Sequence, residues 1–195
     1  MKNPGRKFYH TLGGLGLLAI YHVLGPRQAF PVYLLLLAGI LAFDLARLRI
    51  PEFGAWAMRH MGSLLRPEEV ATISGSPAYI LGVALTLYLF DLPVATAAVL
   101  FLVFGDVCAS IVGEPWGKTK FRDKSLEGTA AFVAAGLAAA LLYRLFGETP
   151  PFVLLACGVV TAAIVEIFTP KRLNDNLTIP LAAAAIMTIL GKLAG

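Results

Sequence analysis

The sequence predicts an all-α integral membrane protein with about seven transmembrane helices and one further helix on the membrane surface. Hydrophobic residues make up 58% of the 195 residues and charged residues only 14%, with a mean hydropathy of +0.77. A soluble domain of this size needs far more polar surface. Apolar runs also recur along the whole length, separated by proline, glycine or short polar stretches. We therefore expect one membrane-embedded domain over residues 1–195, without a soluble domain.

The expected spans are about as long as a bilayer requires. They cover residues 8–25, 30–48, 74–91, 93–113, 127–146, 151–168 and 177–194. Several are slightly shorter than the ~20 residues that cross a bilayer core. Residues 50–66 form no span, but their apolar side chains follow one helical stripe beside two arginines, which is typical of an interfacial helix. An ordinary amphipathic connector explains this pattern about equally well.

Basic residues are unevenly distributed between the two ends of these spans. In a seven-span topology, every Lys and Arg except Arg27, Arg144 and Lys192 falls on the side of the N-terminus. The positive-inside rule then places the N-terminus and the long loops in the cytoplasm. The formal net charge of +4 is too small and too scattered for a nucleic-acid partner, so none is expected.

Residues 104–129 carry the densest group of charged residues. Asp106 lies near the end of an apolar run, a glycine-rich turn follows, and Ser125 and Glu127 open the next run. Between them lie four basic residues: Lys118, Lys120, Arg122 and Lys124. Acids, bases and flexible backbone in one place suit a polyphosphate with its metal ion.

The turn GEPWGKTK resembles a Walker A loop without matching it. Only three residues separate Gly113 from Gly117, where that loop has four, and both neighbouring segments are expected membrane helices. A P-loop fold is therefore excluded. Free glycine backbone, Lys118 and the N–H groups that open the next helix from Ser125 to Gly128 still favour an anion.

Several acids are expected at the membrane face that carries this turn. Asp106 follows Pro93 by about 20 Å of helix, which places it in the cytoplasmic third of a ~30 Å core. Charged groups at mid-span cost roughly 2.5–3.5 kcal/mol, so acids in spans indicate function. The others lie at span ends on the same side: Asp44, Glu127, Glu166 and Asp175, with Asn176 beside the last. Ion pairing of Asp106 to a lysine and helix capping by Asp175 are the competing structural interpretations.

Two further groups are candidates for phosphate contact. Ser110 and Gly113 follow Asp106 at helical spacing and form a strip of small residues on its face. Arg6 and His10 are four residues apart before the first span, where such residues more often hold lipid headgroups.

Five blocks of sequence now resemble a known family. They are RKFYH (6–10), FDLAR (43–47), ISGSPAYILG (73–82), GDVCASIVGEPWGKTK with KSLEGT (105–129), and E-x8-DNLTIPL (166–181). Together they are similar to the polyprenol kinase-type membrane lipid kinases, which include dolichol kinase, phytol kinase and CTP-dependent diacylglycerol kinase. The resemblance implies transfer of the γ-phosphoryl group of a nucleoside triphosphate, usually CTP, to a lipid alcohol with Mg²⁺ or another divalent cation. The chain lacks the additional N-terminal spans of dolichol kinases, which favours the phytol or diacylglycerol kinase-like branch and a prokaryotic cell membrane.

We therefore expect a lipid kinase-like site at the cytoplasmic face, with three sets of residues. The catalytic set is Asp106, Glu127 and Lys124. The nucleotide-binding set is Ser110, Gly113, Gly117, Lys118, Lys120, Ser125, Gly128, Arg6 and His10. The metal set is Asp106, Glu127, Glu166, Asp175 and Asn176.

Two other functions are compatible with the same residues. A cytidylyltransferase acting on a phosphatidate-like lipid also uses CTP and membrane acids, although the KSLEGT segment favours a kinase. A transporter is disfavoured because the acids gather at one face and not at the midplane. The sequence leaves open the oligomeric state and the choice among phytol, farnesol, a polyprenol or dolichol, and diacylglycerol.

Overall fold

The computed structural model describes residues 4–169 and 173–194 and confirms the all-α fold class. Its helices are α1 Pro4–Arg49, α2 Pro51–Met61, α3 Ser76–Leu89, α4 Leu92–Leu100, α5 Val107–Trp116, α6 Leu126–Tyr143, α7 Phe152–Phe168 and α8 Asp175–Ala194. The smaller elements are 3-10 turns at Gly62–Leu64 and Pro67–Glu69, a π-helical segment at Phe101–Asp106, and the antiparallel strands β1 Lys120–Phe121 and β2 Lys124–Ser125. Lys2, Lys171 and Arg172, which contribute to the predicted charge bias, lie outside the described residues.

Helix α1 is a hairpin of two arms. Gly25 interrupts it with φ 75°, a left-handed conformation that glycine adopts without steric cost. The Tyr33 hydroxyl donates a hydrogen bond of 2.6 Å to the Leu17 carbonyl, whereas these residues would lie about 24 Å apart along a straight helix. The two arms correspond to the predicted spans 8–25 and 30–48.

Helix length supports several membrane crossings in the described ranges. The four helices long and apolar enough to cross a bilayer are Pro4–Arg49, the continuous helix Leu92–Trp116, Leu126–Tyr143 and Asp175–Ala194. Helices α3 and α7 are also apolar but have only 14 and 17 residues. All-α membrane architecture is therefore confirmed, while the count of seven crossings stays a prediction.

Helix α8 lies at the centre of the bundle and packs against α3, α4 and α7. Small residues allow these close approaches in a membrane protein. At Gly82 a Cβ would collide with the Asn176 backbone, so α3 lies directly against the start of α8. At Gly158 a Cβ would stand 2.7 Å from the Met187 sulfur. This packing fixes the N-terminus of α8, where Asp175 and Asn176 are buried.

Candidate active site

Asp106 is positioned by an irregular stretch of its helix. The continuous helix Leu92–Trp116 changes to π geometry over Phe101–Asp106, a feature that occurs frequently at functional sites. Within it, Gly105 lies against the Phe132 ring so closely that a Cβ would approach ring carbons to 2.6 Å. The π segment ends at Asp106, whose side chain is 17% exposed.

His10 is the charged or ionisable side chain closest to the Asp106 carboxylate. Its imidazole stacks on the Tyr79 ring with centroids 4.3 Å apart, and the Tyr79 hydroxyl donates to the His10 carbonyl at 2.9 Å. The His10 Nε2 atom lies 3.8 Å from Asp106 Oδ2, too far for a hydrogen bond, and is buried without a partner. Asp106 itself makes no side-chain hydrogen bond within the described ranges.

Lys124 links the β-hairpin to two buried acids. Strand pairing places Phe121 opposite Lys124, and Arg122 completes the turn with φ 54°. The Lys124 ammonium lies 2.7 Å from Glu166 Oε1 and 3.2 Å from Asp175 Oδ2. The hairpin therefore delivers one cation to the ends of both α7 and α8.

The charge of Lys124 is secured by its surroundings. Burial lowers the pKa of this ammonium, but the nearby carboxylates of Asp106, Asp175 and Glu166 outweigh burial and raise the pKa above its usual value. A lysine with a raised pKa stabilises the folded state below its unfolded pKa of about 10.4. That contribution is lost only when the pH rises through the folded pKa. The ammonium is thus cationic at any physiological pH.

Arg66 belongs to the same cluster, although the sequence suggested a role at the lipid headgroups. Its Nη2 atom lies 3.5 Å from Asp175 Oδ1, and its Nε atom lies 4.0 Å from Glu69 Oε1. Burial lowers the pKa of the guanidinium, but Asp175, Asp106 and Glu69 together raise it. No local sequence signal marks Arg66, because its partner carboxylates come from distant parts of the chain.

Two cavities meet at Asp106. The larger has a volume of about 940 Å³ and contains the hairpin, Lys124 and the acids Glu166 and Asp175. The smaller has a volume of about 310 Å³ and is mostly apolar. Both are lined by Arg6, Arg66, Glu69, Gly75, Asp106 and Ser110. Asp106 therefore lies in the wall that the two cavities share.

Most of the predicted site residues lie around these cavities. The larger is lined by Arg6, Asp106, Ser110, Gly113, Lys120, Lys124, Ser125, Gly128, Glu166 and Asp175. His10 and Asn176 line the smaller one, and the buried Asn176 Oδ1 atom has no hydrogen-bond partner. Gly117, Lys118 and Glu127 line neither cavity.

Glu127 and the glycines have structural contacts that the sequence did not predict. The Glu127 carboxylate accepts hydrogen bonds of 3.0 and 3.2 Å from the Thr119 N–H, which ties the hairpin to α6. Gly117 packs so closely on Ser125 that a Cβ there would lie 2.5 Å from the Ser125 hydroxyl. These residues close the packing of α5 on α6 and do not form an open loop.

The start of α6 is only partly available to an anion. Ser125 is the N-cap, and its hydroxyl accepts a 3.1 Å hydrogen bond from the Gly128 N–H. This donor, which was expected to face phosphate, is therefore already used. The cations of the site come instead from Lys124 and Arg66.

The oxygen donors present are compatible with Mg²⁺ bound through its substrate. Mg²⁺ typically uses one or two protein carboxylates together with substrate phosphates. Asp106 has no hydrogen bond and Asn176 Oδ1 is an unpartnered buried oxygen, so both are available. Glu166 and Asp175 are already paired with cations. Within residues 4–169 and 173–194, no group of three His, Cys, Asp or Glu side chains is arranged to hold a metal by itself.

Comparison with known proteins finds several similar chains, some of which are named as lipid kinases. The chain is 28% identical to an uncharacterised protein of Rickettsia prowazekii, over 94% of this chain and 92% of that one. It is 27% identical to CTP-dependent diacylglycerol kinase 1 of Saccharomyces cerevisiae, over 96% of this chain and 73% of the yeast protein. It is 33% identical to phytol kinase of Synechocystis, over 47% of this chain and 42% of that protein.

The similar proteins named as diacylglycerol kinase and phytol kinase support a polyprenol or lipid kinase-type family for this chain. This confirms the resemblance inferred from the five sequence blocks. The match to the yeast protein extends over nearly the whole chain, so it covers the elements that build both cavities. No protein-family model and no solved structure matches the chain.

Proposed function

We propose that this protein transfers the γ-phosphoryl group of CTP to the hydroxyl group of a lipid alcohol. The observation that carries the proposal is the position of Asp106, which lacks a hydrogen bond and lies in the wall shared by two cavities: a large one that contains the basic hairpin, and a smaller one that includes apolar side chains of α1 and α2. A kinase for a lipid needs these two environments in contact at the reacting atoms. The kinase names of the relatives support the reaction type and the nucleotide donor.

The larger cavity would hold the nucleotide. Its volume of about 940 Å³ lies at the upper end of the range of small-molecule sites, about 300–1,000 Å³. Phosphoryl transfer requires chiefly alignment and neutralisation of charge on the phosphate oxygens. Lys124 and Arg66 supply fixed positive charge, with Lys120 and Arg6 also in the cavity wall. A bound Mg²⁺ would be held by Asp106 and Asn176, whose side-chain oxygens have no hydrogen-bond partner among the described residues, and it would neutralise the phosphates further.

Asp106 would serve as the proton acceptor. The oxygen of the lipid hydroxyl attacks the γ-phosphorus, the bond to the β–γ bridging oxygen breaks, and CDP leaves. The hydroxyl proton passes to Asp106, which must lie within about 2.6–3.2 Å of that oxygen. His10, 3.8 Å from Asp106 Oδ2, would orient the carboxylate.

The proposed membrane arrangement follows from charge and from the α1 hairpin. Each arm of α1 would cross the bilayer once, giving seven crossings, with the charged end at the cytoplasmic face of a prokaryotic cell membrane. Helix α2 would lie on that face, where Phe53 and Trp56 contact each other. Nucleotide would then reach the larger cavity from the cytoplasm.

In the test, purified protein is incubated in detergent with γ-labelled CTP or ATP and a panel of lipid alcohols. Transfer of the label to each lipid alcohol is measured. The panel contains 1,2-dioctanoylglycerol, phytol, farnesol and a short polyprenol. We expect a labelled lipid phosphate together with CDP. Release of pyrophosphate with a phosphatidate-like lipid would indicate a cytidylyltransferase, and absence of both products would reject the proposal.

The matched variants are Asp106→Asn and Asp91→Asn. General base catalysis contributes about 10²–10⁴-fold, so Asp106→Asn is expected to lower kcat by at least ~10²-fold in folded protein. Asp91 is exposed, precedes α4 and makes no side-chain cap hydrogen bond there. It lies about 22 Å along the helix from Asp106, so its neutralisation should leave activity unchanged. Near-normal turnover of Asp106→Asn would contradict the role given to this carboxylate.

A further inference from the structure

The smaller cavity reaches exposed residues on the side of the bundle. Gly39, in the second arm of α1, is exposed and also lines this cavity, and a Cβ at Gly39 would meet no atom within 4 Å. Gly39 precedes Arg47, near the charged end of α1, by about 12 Å of helix. The opening therefore lies among the apolar residues of a helix long enough to cross a membrane.

The wall of this cavity has an apolar part and a polar part. The apolar part comes from α1, α2 and the turn after α2: Ile40, Phe43, Ala57, Met61, Leu64 and Leu65. The polar part includes Asp106, His10, Ser76 and Asn176. A volume of about 310 Å³ is at the lower end of ligand sites, so it suits a polar head with a few methylenes and not a whole lipid.

We infer that the acceptor lipid enters this cavity sideways from the bilayer past Gly39. Its hydroxyl reaches Asp106 from the side opposite the nucleotide, and its tails stay in the membrane. This inference rests on the proposed kinase function, because it gives the smaller cavity the second substrate. It explains why the cavity shares its polar wall with the larger one but opens away from it.

The inner wall also indicates the type of head that it accepts. Within the described ranges, the Ser76 hydroxyl and the Arg6 guanidinium make no side-chain hydrogen bond, and both line this cavity. A prenol offers one hydroxyl, which Asp106 uses. A glycerol ester adds carbonyl oxygens that accept from Ser76 and Arg6, so the cavity favours a diacylglycerol-type acceptor.

The decisive variant is Gly39→Leu, which narrows the mouth without a clash. Its matched control is Gly16→Leu on the first arm of α1, because Gly16 also has open space around its Cβ and lines neither cavity. The readout is KM for 1,2-dioctanoylglycerol in mixed micelles and KM for CTP. We expect Gly39→Leu to raise the lipid KM about tenfold or more. One methylene that does not fit an apolar pocket typically has an effect of at least this size. The CTP KM should stay unchanged, and Gly16→Leu should change neither.

An unchanged lipid KM in Gly39→Leu, or an equal rise in Gly16→Leu, would overturn the entry route. A higher kcat/KM for phytol than for dioctanoylglycerol would overturn the preference for a glycerol ester. Both outcomes leave the kinase function intact.

Photocrosslinking tests the cavity independently of catalysis. A diacylglycerol carrying a diazirine near its ester groups, applied without nucleotide, should label peptides from residues 39–65, and excess dioctanoylglycerol should compete. Gly39→Leu should reduce this labelling and Gly16→Leu should not. If the wild type transfers no phosphate but still labels these peptides, only the kinase proposal fails. Labelling elsewhere would overturn the lipid cavity itself.

Discussion

Asp44 and Asp106 are two acids lining the same small cavity, but their environments are opposite. Asp44 is 2% exposed, and its Oδ1 accepts hydrogen bonds of 2.9 and 3.2 Å from Arg47. Its Oδ2 accepts from the Ser74 N–H at 2.8 Å and from the Ser74 hydroxyl at 2.7 Å. Asp106 makes none of these bonds and has only His10 at 3.8 Å.

The difference separates an acid that builds the site from one that works in it. Arg47 also donates to the carbonyls of Val70 and Thr72, so the Asp44–Arg47 pair fastens the end of α1 to the segment before α3. The Asp106 side chain is 17% exposed and makes no such bond to the described residues, so its carboxylate is open to both cavities. In the proposed reaction a ligand completes its bonding.

The same substitution at both acids tests this contrast with the largest expected effect. Asp44→Asn removes a buried charge that Arg47 needs, and breaking such a pair costs about 3–5 kcal/mol. We expect a strong loss of thermal stability in detergent, measured by the temperature at which the folded protein disappears on size-exclusion chromatography. Asp106→Asn should unfold much closer to the wild-type temperature, since it loses no hydrogen bond but only the attraction of its carboxylate for Lys124 and Arg66. Equal destabilisation by both substitutions would contradict the division of roles.

A substitution at Lys124 tests whether a cation of the site, like Asp106, has more than a structural role. Lys124→Gln removes the ammonium between Glu166 and Asp175 and the positive charge facing the nucleotide. Loss of one electrostatic donor to a transition state costs about 10²–10³-fold in kcat. Steady-state kinetics with CTP measures this, and the control is Lys192→Gln, at the exposed last turn of α8. If Lys124→Gln and Lys192→Gln show the same kcat, Lys124 has only a structural role.

Glu127 is expected to give the smallest effect. It was predicted to be catalytic and to bind metal, but its carboxylate holds the Thr119 N–H and lines neither cavity. Glutamine retains one acceptor oxygen for this hydrogen bond. We therefore expect Glu127→Gln to lower kcat/KM only about twofold, less than the net worth of roughly 1 kcal/mol for one hydrogen bond. A loss comparable to that of Lys124→Gln would return Glu127 to the catalytic set.

Local patterns were sufficient to predict the helices and the gathering of acids. Apolar runs and prolines marked the segments, and charge bias indicated the end at which Asp106, Glu166 and Asp175 meet. Ser125 was expected at the opening of a helix, and it is the N-cap of α6. These features depend on residues close together in the chain.

The features that were missed depend on contacts between distant residues. Arg66 pairs with Asp175, and Asp44 with Ser74, and no periodicity or spacing reports such pairs. The outward turn of Glu127 depends on how the hairpin folds back to Thr119. Whether an acid is hydrogen-bonded is likewise decided by its neighbours in space. The sequence alone therefore could not show that Asp44 is hydrogen-bonded and Asp106 is not.

The direction in which the Asp106 side chain points depends on the winding of the π-helical segment that ends at this residue. Each residue of an α-helix advances the side-chain direction by about 100°. Rewinding Phe101–Asp106 as a regular α-helix, with every residue kept, would rotate Asp106 away from the wall between the two cavities, with every functional group still present. Regular winding would thus preserve the composition of the site and lose its alignment.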